Sequence, residues 1–196
     1  MTTANEPAPG RRERKKAQTR KALADAALRL FLERGYDGVS VKDVAEAADV
    51  SVTTLFKHFS GKEALVFDRD AELGAALVAA VRDRAAGRTV LDALQEHLRE
   101  VLLSARRAPE FRGFRGLVET TPALVEYAHR MWLRHEEALA GAIAEAAGRA
   151  PDAVPVRALA HYALTAPRLA GGARDPGRAL DEIFAHLRNG WSGLGR

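Results

Sequence analysis

Residues 40–59, "SVKDVAEAADVSVTTLFKHF", decide how this chain is read. Their second half, Ser51–Phe59, gathers two threonines, a lysine, a histidine and two phenylalanines into nine positions. At about 100° per residue on a helical wheel, Val52, Leu55, Phe56 and Phe59 fall within one arc of about 100°. Thr53, Thr54, Lys57 and His58 lie on the opposite side. The mixture therefore resolves into two faces, one apolar and one carrying hydroxyls, an ammonium and an imidazole. The first half divides in the same way. Val41, Val44, Ala45 and Ala48 share a face whose small alanines let another helix cross closely.

Only Asp49-Val50 separates the two halves before Ser51, which can cap the second, while Ser40 and Asp43 have capping-box spacing at the head of the first. Two short helices, a tight turn and a small crossing residue predict a helix-turn-helix. Its second helix, about 12 Å long, is short enough to present a polar face to a few base pairs in a major groove. Thr53 and Thr54 suit base edges or a thymine methyl, and Lys57 and His58 suit phosphates or guanine. Two ordinary core helices with solvated polar faces would give the same wheel, so the charge pattern matters.

That pattern is lopsided. Up to Lys62 the chain holds 12 Lys+Arg and 8 Asp+Glu; from Glu63 onward it holds 18 of each. The formal excess of +4 and all six lysines thus lie in the first third, densest in "RRERKKAQTRK", Arg11–Lys21. A local basic excess is a footprint for a polyanion, either nucleic acid or an anionic membrane surface. A solubilising tail is the plainer alternative.

With 196 residues, 47% hydrophobic and 29% charged, the chain has the composition of a soluble globular protein with one sizeable core, or a small domain attached to a medium one. No apolar run approaches the roughly 18 residues of a membrane span, and no apolar segment follows the basic N-terminus as in a secretory signal. The absence of cysteine excludes disulfides, thiolate metal sites and cysteine nucleophiles, and fits a reducing, cytoplasmic setting.

Helical periodicity dominates and no alternating strand pattern stands out, which predicts an all-α fold of about nine helices. Residues 1–10, with two prolines, read as a disordered lead-in. A first helix is expected from about Arg14 to Arg34, stopped by Gly35. After the helix-turn-helix, Ser60 and Glu63 have capping-box spacing at the head of a long helix, Lys62 to about Arg84. Later helices are expected from Thr89 to Arg106, Glu110 to Val118, Thr121-Pro122 onward, Asp152 to Ala170 and Asp175-Pro176 onward. The domain plan is a lead-in over 1–10, a helix-turn-helix domain over 11–61 and a second helical domain over 62–196.

The run "GVSVKDVAEAADVSVTTLFKHFSGKEALV", Gly38–Val66, resembles the N-terminal domain of the TetR family of bacterial transcriptional regulators. The resemblance covers roughly Arg14 to Phe67, about a quarter of the chain; beyond it only the all-helical layout agrees. It implies a DNA-contacting set of Ser40, Lys42, Ser51, Thr53, Thr54, Phe56, Lys57, His58 and Lys62, with Ser40 reaching a phosphate and Phe56, His58 and Lys62 lying along the phosphate backbone. Two positions depart from the family pattern. Phe56 replaces the usual tyrosine, removing a phenolic hydrogen bond, and Asp49 replaces the usual glycine in the turn.

A single helix-turn-helix reads only a few base pairs, so a homodimer on a palindrome is expected, with half-sites about 34–36 Å apart or more. Apolar stripes near the C-terminus (Leu159 and Ala163; Leu180, Ile183, Phe184 and Leu187) would, by the resemblance, form a four-helix bundle with the partner copy. The same stripes would equally serve the monomer's own core. The resemblance also implies a ligand cavity in the middle helices, and His97, Phe111, Phe114, Tyr127, Met131, Trp132, His135 and Tyr162 are the candidates. Such a lining suits a small apolar or aromatic ligand. No cofactor or metal site is expected. An enzyme would have to use His135-Glu136-Glu137, or His97 with Glu100 one turn on, but the metal-binding spacing is incomplete and no phosphate loop or nucleophile elbow accompanies them. A membrane-surface role for the basic run lacks the Trp- or Phe-rich face that would bury in lipid.

Overall fold

The computed structural model describes residues 10–190, so all but the last residue of the expected lead-in over residues 1–10 lies outside the described residues. The described residues form ten α-helices and no strand. They are α1 (Arg11–Arg34), α2 (Val41–Ala47), α3 (Val52–His58), α4 (Lys62–Val66), α5 (Asp70–Arg82), α6 (Val90–Arg107), α7 (Phe111–Thr120), α8 (Pro122–Ala147), α9 (Val154–Ala170) and α10 (Pro176–Asn189).

Four of the ten helix starts have the side-chain caps the residues promised. Ser40 Oγ accepts the Asp43 amide at 3.2 Å while the Asp43 carboxylate accepts the Ser40 amide at 2.7 Å, a closed capping box. Ser51, Thr89 and Asp175 accept the amides of Thr54, Asp92 and Arg178 in the same way. α1 begins a turn earlier than expected. Glu13, the single acid of the basic run, accepts the Gly10 amide at 3.3 Å, and the Gly10 carbonyl accepts the Arg14 amide at 3.0 Å. α1 ends where Gly35 turns to φ 77. Three residues on, a Cβ at Gly38 would stand 2.7 Å from the Arg34 carbonyl oxygen, so that tight exit admits only glycine there.

The long helix expected from Lys62 to Arg84 is instead two helices, α4 and α5, broken at 67–69. The cause lies far away in sequence. Arg20 of α1 donates to the Asp68 carbonyl at 2.6 Å and so draws this backbone towards α1. The Ser60–Glu63 capping box does not form either. Gly61 occupies the N-cap, without a side-chain cap, and the Glu63 carboxylate accepts the Tyr36 hydroxyl at 2.9 Å.

The chain divides into two compact units. The first comprises the chain up to Asp68 together with Gly113–Leu124; the second comprises Arg69–Arg112 and the chain from Val125 onward. This boundary differs from the expected division between residues 61 and 62, because α4, most of α7 and the first turn of α8 all belong to the first unit. In the first unit α1 packs against α2, α3 and α4. Leu23, Ala27, Leu30 and Phe31 of α1, Val39, Val44, Leu55, Phe59 and Leu65 are buried there.

The second unit has its own core, built from α5, α6, α8, α9 and α10. Here the residues of the expected interface stripes divide by burial. Ala163, Leu180 and Phe184 are 0% exposed and sit in that core, with Leu159, Ile183 and Leu187 packed against it. Full burial within one copy leaves Ala163, Leu180 and Phe184 no surface for a partner. The outward large apolar residues of α9 are Val154 at its first position and, further along, Tyr162 and Leu169, at 54% and 63% exposure.

Candidate nucleic-acid interface

α2 and α3 are joined by a turn whose geometry follows from one residue. The Asp49 amide donates to the Glu46 carbonyl at 3.1 Å and the Val50 amide to the Ala45 carbonyl at 3.0 Å, the paired bonds of a Schellman ending. That ending places its penultimate donor in the left-handed region, and Asp49 has φ 52. It is the only non-glycine residue with positive φ among the described residues. Glycine would adopt this conformation without steric cost; aspartate tolerates it.

The α3 helix is anchored by Leu55 and Phe59, at 0% and 3% exposure. Thr53, Phe56 and Lys57 are exposed, forming one solvent-facing strip. The wheel had put Phe56 with the buried residues, but it stood at the edge of that arc, and the residue is 53% exposed. Thr54 is half-buried, and its hydroxyl lies 2.9 Å from Ser51 Oγ. Ser40 also spends its hydroxyl proton locally, donating to Asp43 Oδ2 at 2.6 Å. These hydrogen bonds hold the Asp43 carboxyl below its usual range. Lys42 is exposed and forms a loose i,i+4 pair with Glu46 at 3.7 Å.

Two residues expected along a phosphate backbone point elsewhere. The Lys62 ammonium turns inward, donating to the Tyr36 carbonyl and lying 3.9 Å over the Tyr36 ring and 5.5 Å from that of Phe31. Burial pushes its pKa down, against the pull of Asp37 and Glu63. The inward turn of Lys62 has a simple reason. The α1–α2 loop leaves a carbonyl and an aromatic face beneath α4, and a lysine at the first position of α4 satisfies both. His58 is half-buried, and its Nδ1 is buried without a hydrogen-bond partner among the described residues. Burial, then the charges of Lys16 and Arg20, hold the imidazole below its ordinary pKa.

Arg20 is the residue that sequence reasoning missed. Its guanidinium donates to the His58 carbonyl and to the Asp68 carbonyl, both at 2.6 Å, and stacks 4.2 Å over the Phe59 ring. It thus fixes the C-terminal end of α3 and the α4–α5 turn together. Nothing in the run "RRERKKAQTRK" marks Arg20 out from its basic neighbours.

The eight ligand candidates divide between the two units. Phe114 lies in the first unit, edge-on to Phe67 at 6.1 Å. The other seven lie in the second, where Met131 and His135 are buried while Trp132 and Tyr162 are 45% and 54% exposed. His135 Nε2 lies 2.7 Å from Asp70 Oδ1, and Asp70 Oδ2 accepts Arg134 at 2.7 Å, so this buried imidazole braces α8 to α5. His97 is half-buried on α6, its pKa lowered by burial and partly restored by Glu100. Two open depressions of about 420 and 470 Å³ mark the second unit's surface, and none of the eight lines either. Nor do His135 and Glu136 act as a pair, since Glu136 lies 2.9 Å from His161. No group of three or more metal-ligating side chains occurs among the described residues.

The chain is similar to known proteins in two ways. Residues 23–68 match the family model described as bacterial regulatory proteins, tetR family. The HTH-type transcriptional regulator TcmR of Streptomyces glaucescens is 37% identical over 145 residues, 69% of this chain and 62% of TcmR, so the aligned chain spans less than two thirds of that relative. Among solved structures, the TetR family repressor AlkX of Dietzia sp. superposes with a TM-score of 0.55 at 24% identity, over 86% of this chain and 94% of AlkX. NalD of Pseudomonas aeruginosa, the secondary repressor of the MexAB-OprM multidrug efflux pump, does so with a TM-score of 0.56 at 23% identity, over 87% and 96%. At those identities the two structures speak for the fold alone.

Proposed function

We propose that this chain, which belongs to the TetR family of bacterial regulatory proteins, is a ligand-responsive transcriptional repressor that binds a palindromic operator as a homodimer. The observation that carries this reading is the two-sided α3. Leu55 and Phe59 hold it to the first unit while Thr53, Phe56 and Lys57 stand in solvent. The same third of the chain holds the whole formal charge excess. Thr53 would read a base edge and Lys57 a phosphate or guanine; Lys42 and Ser51 at the exposed helix ends would position the protein on the backbone. Lys62 and His58 would support the surface from behind rather than touch DNA.

The partner of each copy would be a second copy joined through the outward sides of α9 and α10, where Tyr162 and Leu169 are exposed and Ile183 and Leu187 half-buried. The ligand would be a small apolar or aromatic molecule bound in the second unit. It would act only through unequal affinity for the operator-competent and operator-incompetent conformations. The repressing sign is part of the proposal. The setting would be the bacterial cytoplasm; no helix among the described residues is long and apolar enough to cross a membrane.

The test is a gel shift with the duplex upstream of the protein's own gene, titrated with salt. Specific binding that falls steeply with salt is expected, because each lysine–phosphate contact releases counterions. Lys57→Ala should weaken binding and reduce the salt slope by about one. Thr53→Ala should weaken it with the melting temperature unchanged. Binding indifferent to sequence, or equal affinity for the wild type and both variants, would refute the reading.

A further inference from the structure

We infer that Phe56 is a specificity-determining residue that reads a thymine C5-methyl group in each half-site. The inference rests on the operator-binding reading and goes beyond it. A phenylalanine 53% exposed on a seven-residue helix is out of place, because the helix already has its apolar anchors in Leu55 and Phe59. At about 100° per residue, Phe56 stands about 60° from Thr53, with Lys57 a further 40° round. Thr53 and Phe56 are also an i,i+3 pair, so their side chains are neighbours on one strip. Whatever lies opposite Thr53 and Lys57 therefore also meets the ring.

The chemistry of that strip selects the occupant. Lys57 and the basic residues of α1 belong to the same unit and favour a polyanion over an uncharged or cationic protein surface. In a major groove the one apolar feature on a base edge is the thymine methyl, and phenylalanine is among the side chains that contact it. Phe56 has no hydroxyl, so it cannot donate to a phosphate; what it offers is area to bury. The preference it creates would be for T·A at one position in each half-site, independent of the hydrogen bonds made by Thr53.

The experiment starts from duplexes enriched by the wild-type chain from a random library, in which each thymine is then replaced singly by deoxyuridine. One thymine per half-site should show a loss of about fourfold in affinity, the worth of one buried methyl group. Phe56→Ala should abolish that penalty with its melting temperature kept, and Phe56→Leu, still apolar, should retain part of it. Losses below about twofold at every thymine with the wild type would overturn the inference. So would an undiminished penalty in Phe56→Ala, or affinity lost equally for all sequences, which is the mark of a ring lying on deoxyribose. If the wild type enriches no duplex, the operator reading itself falls; if it enriches one that is blind to deoxyuridine, only the role of Phe56 falls.

Discussion

Replacing Asp49 by glycine should make the protein more stable and bind its operator more tightly. Asp49 holds φ 52 in the Schellman ending of α2. A left-handed L-residue costs about 1–2 kcal/mol, with aspartate towards the lower end because its short polar side chain bonds locally. Glycine removes this cost but gives back about 0.5–1 kcal/mol through the freer unfolded chain. The net gain for Asp49→Gly is therefore about 0.5 kcal/mol, or about 1–2 °C in melting temperature for a chain of this size. The molecule contains its own control. α8 ends in the same motif, with the Arg149 amide on the Ala144 carbonyl at 3.0 Å and Gly148 at φ 61. A Cβ at Gly148 would meet nothing within 4 Å, so only backbone strain opposes it, and Gly148→Ala should lose about 1 kcal/mol. The assay is urea unfolding of both variants, followed by operator titration. Asp49 is exposed between the two helices, so removing its charge should strengthen binding at low salt and matter less as salt rises. A lower unfolding midpoint for Asp49→Gly, or no effect of Gly148→Ala, would refute the account of the turn.

Other outcomes are expected. Arg20→Ala should cost about 2–4 kcal/mol, as two short charged hydrogen bonds and a ring contact are lost together; Arg20→Lys, which cannot span both carbonyls, should recover only part, read from urea midpoints. The depressed pKa values of His58 and His97 mean that the unfolded chain takes up protons first as the medium is acidified. Their contribution to stability is thus whole above about pH 6.5 and lost as pH falls towards the lower folded values. The urea midpoint should drop between pH 7.5 and 5.5, and His58→Gln with His97→Gln should flatten that drop; an unchanged slope would exclude it. Tyr162→Glu with Leu169→Glu should yield folded monomers in sedimentation, whereas Phe184→Ala should lose about 3–5 kcal/mol of stability by opening a core cavity.

What was legible in the sequence was local. Ser40 with Asp43, Thr89 with Asp92 and Asp175 with Pro176 state their helix starts within four residues, and each cap formed. Gly35 likewise stops α1, and the two-faced α3 was readable from its wheel except at the edge, where Phe56 went outward. What was hidden depends on partners distant in sequence. The break at 67–69 is made by Arg20, 48 residues away, and Lys62 turned inward because Tyr36 and Phe31 wait beneath it. The C-terminal stripes were ambiguous for a different reason. A helix packed in its own core and one packed on a second copy show the same period, and only burial separates Phe184 from Tyr162.

The division of the chain has a practical side for anyone wishing to graft this DNA-reading head onto another regulator. Its fabric is sewn from two pieces, because Gly113–Leu124 belongs with the N-terminal helices. A Cβ at Gly113 would stand 3.0 Å from a Leu32 methyl, Phe114 lies edge-on to Phe67, and Leu124 is 0% exposed. A fragment cut after Asp68 would expose the seats of the first two. A functional transplant must therefore carry both lengths of chain, and a recombination event in nature that exchanged only the first would meet the same penalty.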